Sequence, residues 1–170
     1  MRDKRFVAAH RGGQLSKENH RLLIAWAYTC VTHVLQLLEQ SEMDDRLSNA
    51  LKSAKAWEQD KISVGEARNS SLEAIAVANE SSNPVPISVA RSIGHAVATA
   101  HMADHSLRAA DYALKAVKLS GKSVETERKW QDKQLPPDIK DLVLSARHEK
   151  PNNKNVEVVK SRVKDENYSL

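Results

Sequence analysis

The feature that most constrains the fold is an apolar stripe that returns every third or fourth residue along most of the chain. Its clearest stretch runs through Leu22, Leu23, Trp26, Ala27, Cys30, Val34, Leu37 and Leu38. This spacing puts apolar side chains on one face of an α-helix. The chain has only five Gly and five Pro, too few for the many turns of a β-sandwich or barrel. The sequence therefore predicts an all-α fold, a compact bundle of about six to eight helices.

Short polar residues mark where these helices are expected to begin. Their side chains accept hydrogen bonds from free backbone N–H groups in the first turn. The predicted N-caps are Ser16, Asp44, Ser63 and Ser123. We expect the first helix to run to about residue 39, and the third to bury a stripe of Leu72, Ile75, Ala76 and Asn79.

Prolines and glycines mark the predicted breaks. Residues 81–86 contain two prolines, and because the residue before a proline disfavours helix, we expect a loop there and a fourth helix from Pro86 or Ile87. The apolar phase slips between residues 101 and 105, which favours two helices that meet in a turn at Asp104. Gly121 suits the position just after a helix end, and Pro137 is expected to start the last helix.

These signals divide the chain into three parts: an irregular lead-in over residues 1–15, a helical domain over 16–147 and a polar tail over 148–170, partly helical at most. Residues 50–55 (ALKSAK) and 113–118 (ALKAVK) resemble each other. One interpretation is that the chain contains two related helical hairpins packed in tandem. A chance match is favoured, because the match is short and Ala, Leu and Lys are common helix formers.

Charge and composition argue against several classes of protein. The net charge is +4, but Lys and Arg are mixed with Asp and Glu rather than gathered into a basic patch, which argues against a nucleic-acid role. A single cysteine, Cys30, excludes an intrachain disulfide. No apolar core of a signal peptide follows the basic N-terminal residues, and the apolar runs are too short to span a bilayer. We therefore expect a cytoplasmic protein that does not enter a membrane.

Three histidines form the most suggestive chemical cluster: His95, His101 and His105. On one continuous helix, His101 and His105 would share a face at workable metal-ligand spacing. Met102, however, stands where a zincin motif has Glu. The alternative is that these imidazoles hydrogen-bond between helices. We predict no resident metal or cofactor. If a metal were bound, these three histidines would be the weak candidates for its ligands.

Two other polar pairs have both structural and functional interpretations. Asp44 and Asp45 suit a helix start, because the positive end of a helix favours carboxylates; an acid–base or metal-binding dyad is the less favoured alternative. Trp130 is expected to anchor the sixth helix on the core, although Trp130 with Arg128 also suits a partner-binding patch. Trp26 and Trp57 lie on apolar stripes and are predicted to be core residues.

Several segments together resemble a family of bacterial helical domains described as putative immunity proteins. They include WAYTCVTHVL (26–35), DDR (44–46), AKAW (54–57), GHAVATAHMADH (94–105), ADYA (110–113) and ERKWQ (127–131). The resemblance covers roughly residues 5 to 146. It implies a non-enzymatic protein that binds and neutralises a toxin of a polymorphic toxin system. The matching polar positions imply either a shared pocket or a shared structural network; they are His33, Asp45, Arg46, His95, His101, His105, Glu127 and Arg128.

Two other functions stay open beside that expectation. One is a small-ligand- or metal-binding helical domain, with enzymatic activity included, centred on the histidine cluster. The other is a helical-repeat adaptor, which predicts a solenoid with an extended concave face. The sequence leaves the identity of the toxin and the formation of a homo-oligomer undetermined.

Overall fold

The computed structural model describes residues 2–149. These residues form seven α-helices: α1 Lys17–Val34, α2 Asp45–Glu58, α3 Val64–Glu80, α4 Pro84–Ala98, α5 His105–Leu119, α6 Val124–Lys133 and α7 Pro137–Glu149. Four short 3-10 turns lie in the lead-in and between α1 and α2. The prediction of an all-α bundle is confirmed. The last helix continues to Glu149, and the rest of the predicted tail lies outside the described residues.

The predicted N-caps are confirmed. The side chains of Ser16, Asp44, Ser63 and Ser123 each accept a hydrogen bond from a backbone N–H in the first turn of their helix. At α3 the cap is reciprocal, because the Glu66 carboxylate accepts the Ser63 N–H at 2.8 Å. Each cap satisfies donors that a helix N-terminus leaves free.

The core consists of two clusters that share α1 and α5. The larger cluster contains residues from each of the helices α1, α2, α3, α4 and α5. Helix α4 lies at its centre, with Val89, Ile93 and Val97 fully buried. The smaller cluster lies between α1, α5 and α7 and includes Leu23 and Trp26. The lead-in belongs to it too, since Phe6 and Leu15 are buried there. Helices α1 and α5 therefore bury two faces each.

Two predicted helix bounds are wrong. Helix α1 ends at Val34, and the chain tightens into a 3-10 turn over Leu35–Leu37, which keeps the leucines half-buried without continuing the α-helix. Helix α4 begins at Pro84, because prolines are tolerated in the first turn, where backbone N–H groups have no partner inside the helix.

The predicted buried face of α3 is wrong at Leu72 and Asn79, which are exposed, whereas Ile75 and Ala76 are half-buried. Leu72 is 58% exposed, and the small residues Ala67, Ala74 and Ala78 face the core instead. A close approach of α4 explains the difference: a Cβ atom on Gly94 would lie 2.7 Å from Cδ1 of Ile75. Small side chains on both helices permit that approach.

The predicted break between α4 and α5 is confirmed. Residues 99–104 form a turn, so His101 lies in the connection and His105 is the first residue of α5. Gly121 adopts φ +80° just after α5, as predicted for a glycine at that position.

Candidate functional site

The eight polar residues implied by the resemblance fall into three groups. His33, Glu127 and Arg128 lie where the end of α1 meets α6. Asp45 and Arg46 lie in the first turn of α2, and the three histidines lie around the α4–α5 turn.

In the first group, His33 joins α1 to α6. Its Nδ1 lies 2.6 Å from Oε1 of Glu127, and its ring stacks on Trp130 with centroids 3.6 Å apart. The Glu127 side chain is 11% exposed and that of His33 34%. Trp130 is half-buried and anchors α6 through His33 rather than by entering a core cluster. Arg128 is exposed.

His33 and Glu127 form one wall of a small cavity. Its volume is about 160 Å³, and Val34, Leu37 and Val117 supply its apolar surface. Because His33 is held by a hydrogen bond on one side and a stacked ring on the other, this wall is rigid. The cavity therefore combines apolar surface with a fixed polar edge.

In the second group, Arg46 makes a structural clamp. Its guanidinium donates to both Glu80 oxygens, at 3.0 and 2.6 Å, and to Asp44. The hydrogen bonds from Arg46 lower the pKa of Asp44 and of Glu80. The clamp ties the start of α2 to the end of α3, while Asp45 is exposed. The predicted capping role of Asp44 is confirmed.

In the third group, His95 and His105 face each other. Nδ1 of His95 lies 2.8 Å from Nδ1 of His105, so one imidazole donates and the other accepts. His95 also stacks on Tyr112. Burial lowers the pKa of His95 and of His105 to about 4, which keeps both rings neutral near pH 7. Within residues 2–149, no three His, Cys, Asp or Glu side chains are grouped so that they could hold a metal ion.

A buried polar network that was not predicted links α1, α5, α6 and α7. Arg147 is 4% exposed, and its guanidinium donates to Gln131 Oε1 at 2.6 Å and to Asp132 at 2.7 Å. Gln131 in turn donates to the backbone oxygen of Ala110, and its own backbone oxygen accepts the indole N–H of Trp26. The only sequence signal was the predicted core position of Trp26.

A second and larger cavity lies beside the lead-in. It encloses about 520 Å³ between residues 2–21, the start of α3 and the α4–α5 turn. Trp57, predicted to be a core residue, is half-buried and lines this cavity. Its ring packs against His20, with centroids 4.8 Å apart. His101 lines the same space from the α4–α5 turn.

The buried thiol of Cys30 has the character of a core residue. Cys30 is fully buried, and burial raises the pKa of its thiol. A thiol in apolar surroundings stays protonated and is a poor nucleophile. Its neighbour along the helix, His33, is bonded to Glu127 instead.

Comparisons with known proteins agree with the resemblance drawn from the motifs. A family model described as Imm-5 like putative immunity protein matches residues 13–138. No curated protein matches the chain, and no solved structure matches it either. Among the helices described, none is long and apolar enough to cross a membrane.

Proposed function

This chain belongs to the Imm-5 like putative immunity protein family, and on that premise we propose that it binds a cognate bacterial protein toxin and neutralises it by covering the toxin's active surface. The family match over residues 13–138 is the observation that carries the proposal. Neutralisation by coverage needs a rigid surface that fits the toxin and no chemistry on the part of the binding protein.

The small cavity beside His33 is the place where we expect the toxin to be anchored. Its volume of about 160 Å³ is below the roughly 300–1,000 Å³ of typical small-molecule sites. It suits a single inserted side chain. Binding energy at protein interfaces is concentrated in a few side chains that fill such pockets.

The walls of the cavity favour a side chain with an apolar stem and a polar tip. Val34, Leu37 and Val117 would cover the stem, and the Glu127 carboxylate would accept a hydrogen bond from the tip. The rigid His33 wall reduces the entropy lost on binding, because little has to be ordered when the complex forms.

Growth rescue tests the proposal. The product of each gene adjacent to this one is expressed in a bacterial host with and without this chain, and we expect one of these products to be toxic and this chain to restore growth. Thr126→Trp fills the cavity from an exposed position at its edge, and the capping bond of that residue uses the backbone N–H, so the helix start is preserved. We expect that variant to bind the toxin at least about 30-fold more weakly, the scale of one lost anchor residue.

Lys140→Trp is the matched control. Lys140 is exposed on α7 and does not line the cavity. We expect Lys140→Trp to rescue growth as well as the natural sequence. The proposed function fails if the natural sequence neither rescues growth nor binds the toxin. The proposed anchor fails if Thr126→Trp binds as tightly as Lys140→Trp.

A further inference from the structure

The larger cavity has the size and the lining of a small-molecule site. Its volume of about 520 Å³ lies within the range of roughly 300–1,000 Å³ that such sites occupy. Phe6, Leu15, Trp57 and Ile62 supply apolar surface, and the ring of Trp57 is half-buried and braced by His20. This cavity, which we name the basic cleft, is distinct from the cavity beside His33.

Positive charge dominates the lining of the basic cleft. The lining includes Arg2, Arg11, Lys17 and Arg21 but a single carboxylate, Asp60. Asp60 lies 3.6 Å from the Lys17 ammonium and 3.4 Å from the Arg21 guanidinium. Two of the four cations thus share one counter-charge.

The remaining two cations differ in their partners. Arg2 lies 3.5 Å from an oxygen of Asp104. Arg11 is exposed, and no carboxylate within residues 2–149 pairs with it. Arg11 is therefore the cation in the cleft with the most capacity to bind an added anion.

His101 provides a second observation in the same cleft. Its Nδ1 atom is buried and has no hydrogen-bond partner within the described part of the chain. Burial lowers the pKa of His101, and the charges of Arg68, Arg11 and Arg2 lower it further, while Asp104 opposes them. The imidazole therefore senses the positive charges of Arg11 and Arg2 in the cleft, together with that of Arg68, which does not line it.

We propose that the basic cleft binds a small organic anion, a molecule with a flat apolar body and one carboxylate or phosphate group. The apolar body lies against Trp57 and the buried side chains beside it, and the anionic group faces Arg11. A cleft with low-dielectric walls and one sign of charge concentrates ligands of the opposite sign. The site stands apart from the proposed toxin anchor, because the two cavities share no lining residue.

Titration with defined probes tests the site on the full chain without any toxin. The probes are naphthoate, naphthyl phosphate, the neutral naphthalenemethanol and inorganic phosphate, each followed by calorimetry and by the imidazole NMR signals of His101. We expect naphthoate and naphthyl phosphate to bind, and the tighter of the two identifies the preferred anionic group. We expect the neutral alcohol and inorganic phosphate to bind at least about tenfold more weakly, because each lacks one half of the recognised chemistry.

Three variants assign the charge effect to the cleft. Arg11→Gln removes the free cation, and we expect it to weaken naphthoate binding about three- to tenfold. Asp60→Asn removes the competing carboxylate, and we expect about two- to fivefold tighter binding; Asn suits the positive φ of 61° at that position. Arg128→Gln removes an exposed arginine outside the cleft and should change nothing.

The NMR signals add a readout that a non-specific surface effect would not give. Bound anion opposes the field of the arginines, so we expect the pKa of His101 to rise when naphthoate binds. The proposal is overturned if neither anionic probe binds at millimolar concentration in low salt. It is overturned equally if the neutral alcohol binds as tightly as naphthoate, or if Arg128→Gln weakens binding as much as Arg11→Gln.

Discussion

The network around Gln131 makes a quantitative prediction about stability. Gln131→Met keeps a side chain of similar length but removes the bond from Arg147 and the bond to the Ala110 backbone oxygen, at 2.6 and 3.1 Å. A hydrogen bond to a charged group contributes about 1.5–3 kcal/mol and a neutral one about 0.5–1.5 kcal/mol. Gln131 is fully buried, so water cannot replace the lost partners. We expect the free energy of unfolding to fall by about 2–4 kcal/mol.

Urea unfolding followed by circular dichroism measures this loss, with the slope m unchanged if the transition remains two-state. Gln134→Met is the matched control, because Gln134 is exposed at the end of the same helix; its effect should stay within about 0.5 kcal/mol. Arg147→Met completes a double-mutant cycle, and we expect a coupling energy of at least about 1 kcal/mol. The claim that this network stabilises the fold would be refuted if the effects of Gln131→Met and Arg147→Met were additive. It would also be refuted if Gln131→Met lowered the free energy of unfolding by less than about 0.5 kcal/mol.

Three further predictions concern α3 and the paired histidines. Ser63→Ala removes the cap of α3 and should lower the free energy of unfolding by about 1 kcal/mol. Thermal unfolding measures this loss, and an unchanged Tm would mean that the cap contributes nothing. Leu72→Glu should change stability by less than about 0.5 kcal/mol, because Leu72 is 58% exposed; a loss above about 2 kcal/mol would place Leu72 in the core after all. Unfolded histidines bind protons below about pH 6.5, but His95 and His105 do so only near pH 4 when folded. The unfolding free energy should therefore fall as the pH drops from about 6.5 to about 4, and His105→Gln should flatten that slope in urea titrations; an equally steep slope would contradict the assignment.

The helices were predictable because their signals are local. A serine that caps a helix and a stripe that returns every third or fourth residue both lie within a few turns of the chain. The buried face of α3 was not predictable in the same way. Leu72 is more apolar than Ala74, yet Ala74 is buried because α4 approaches closely at Gly94. Packing against α4, rather than the hydrophobicity of the local sequence, therefore determines which face of α3 is buried.

The polar contacts were less predictable because they join distant parts of the chain. His33 and Glu127 lie 94 positions apart, and Arg147 lies 16 positions after Gln131 on a different helix. Nothing in the local pattern shows that Arg147, beside a polar segment, is buried. The sequence singled out His95, His101 and His105 as a group. In the structure the Nδ1 atoms of His95 and His105 face each other, an orientation that the spacing of residues does not reveal.

The stoichiometry of toxin inactivation tests the central claim of neutralisation by binding. Purified chain is added in increments to a fixed amount of the cognate toxin, and the residual toxin activity is measured after a short and a long incubation. Binding predicts a linear fall that ends at a fixed molar equivalence and is the same at both times, with full toxin activity recovered when the complex is dissociated. Inactivation that continues with time at a small fraction of that equivalence would mean that the protein acts catalytically, and it would contradict the account.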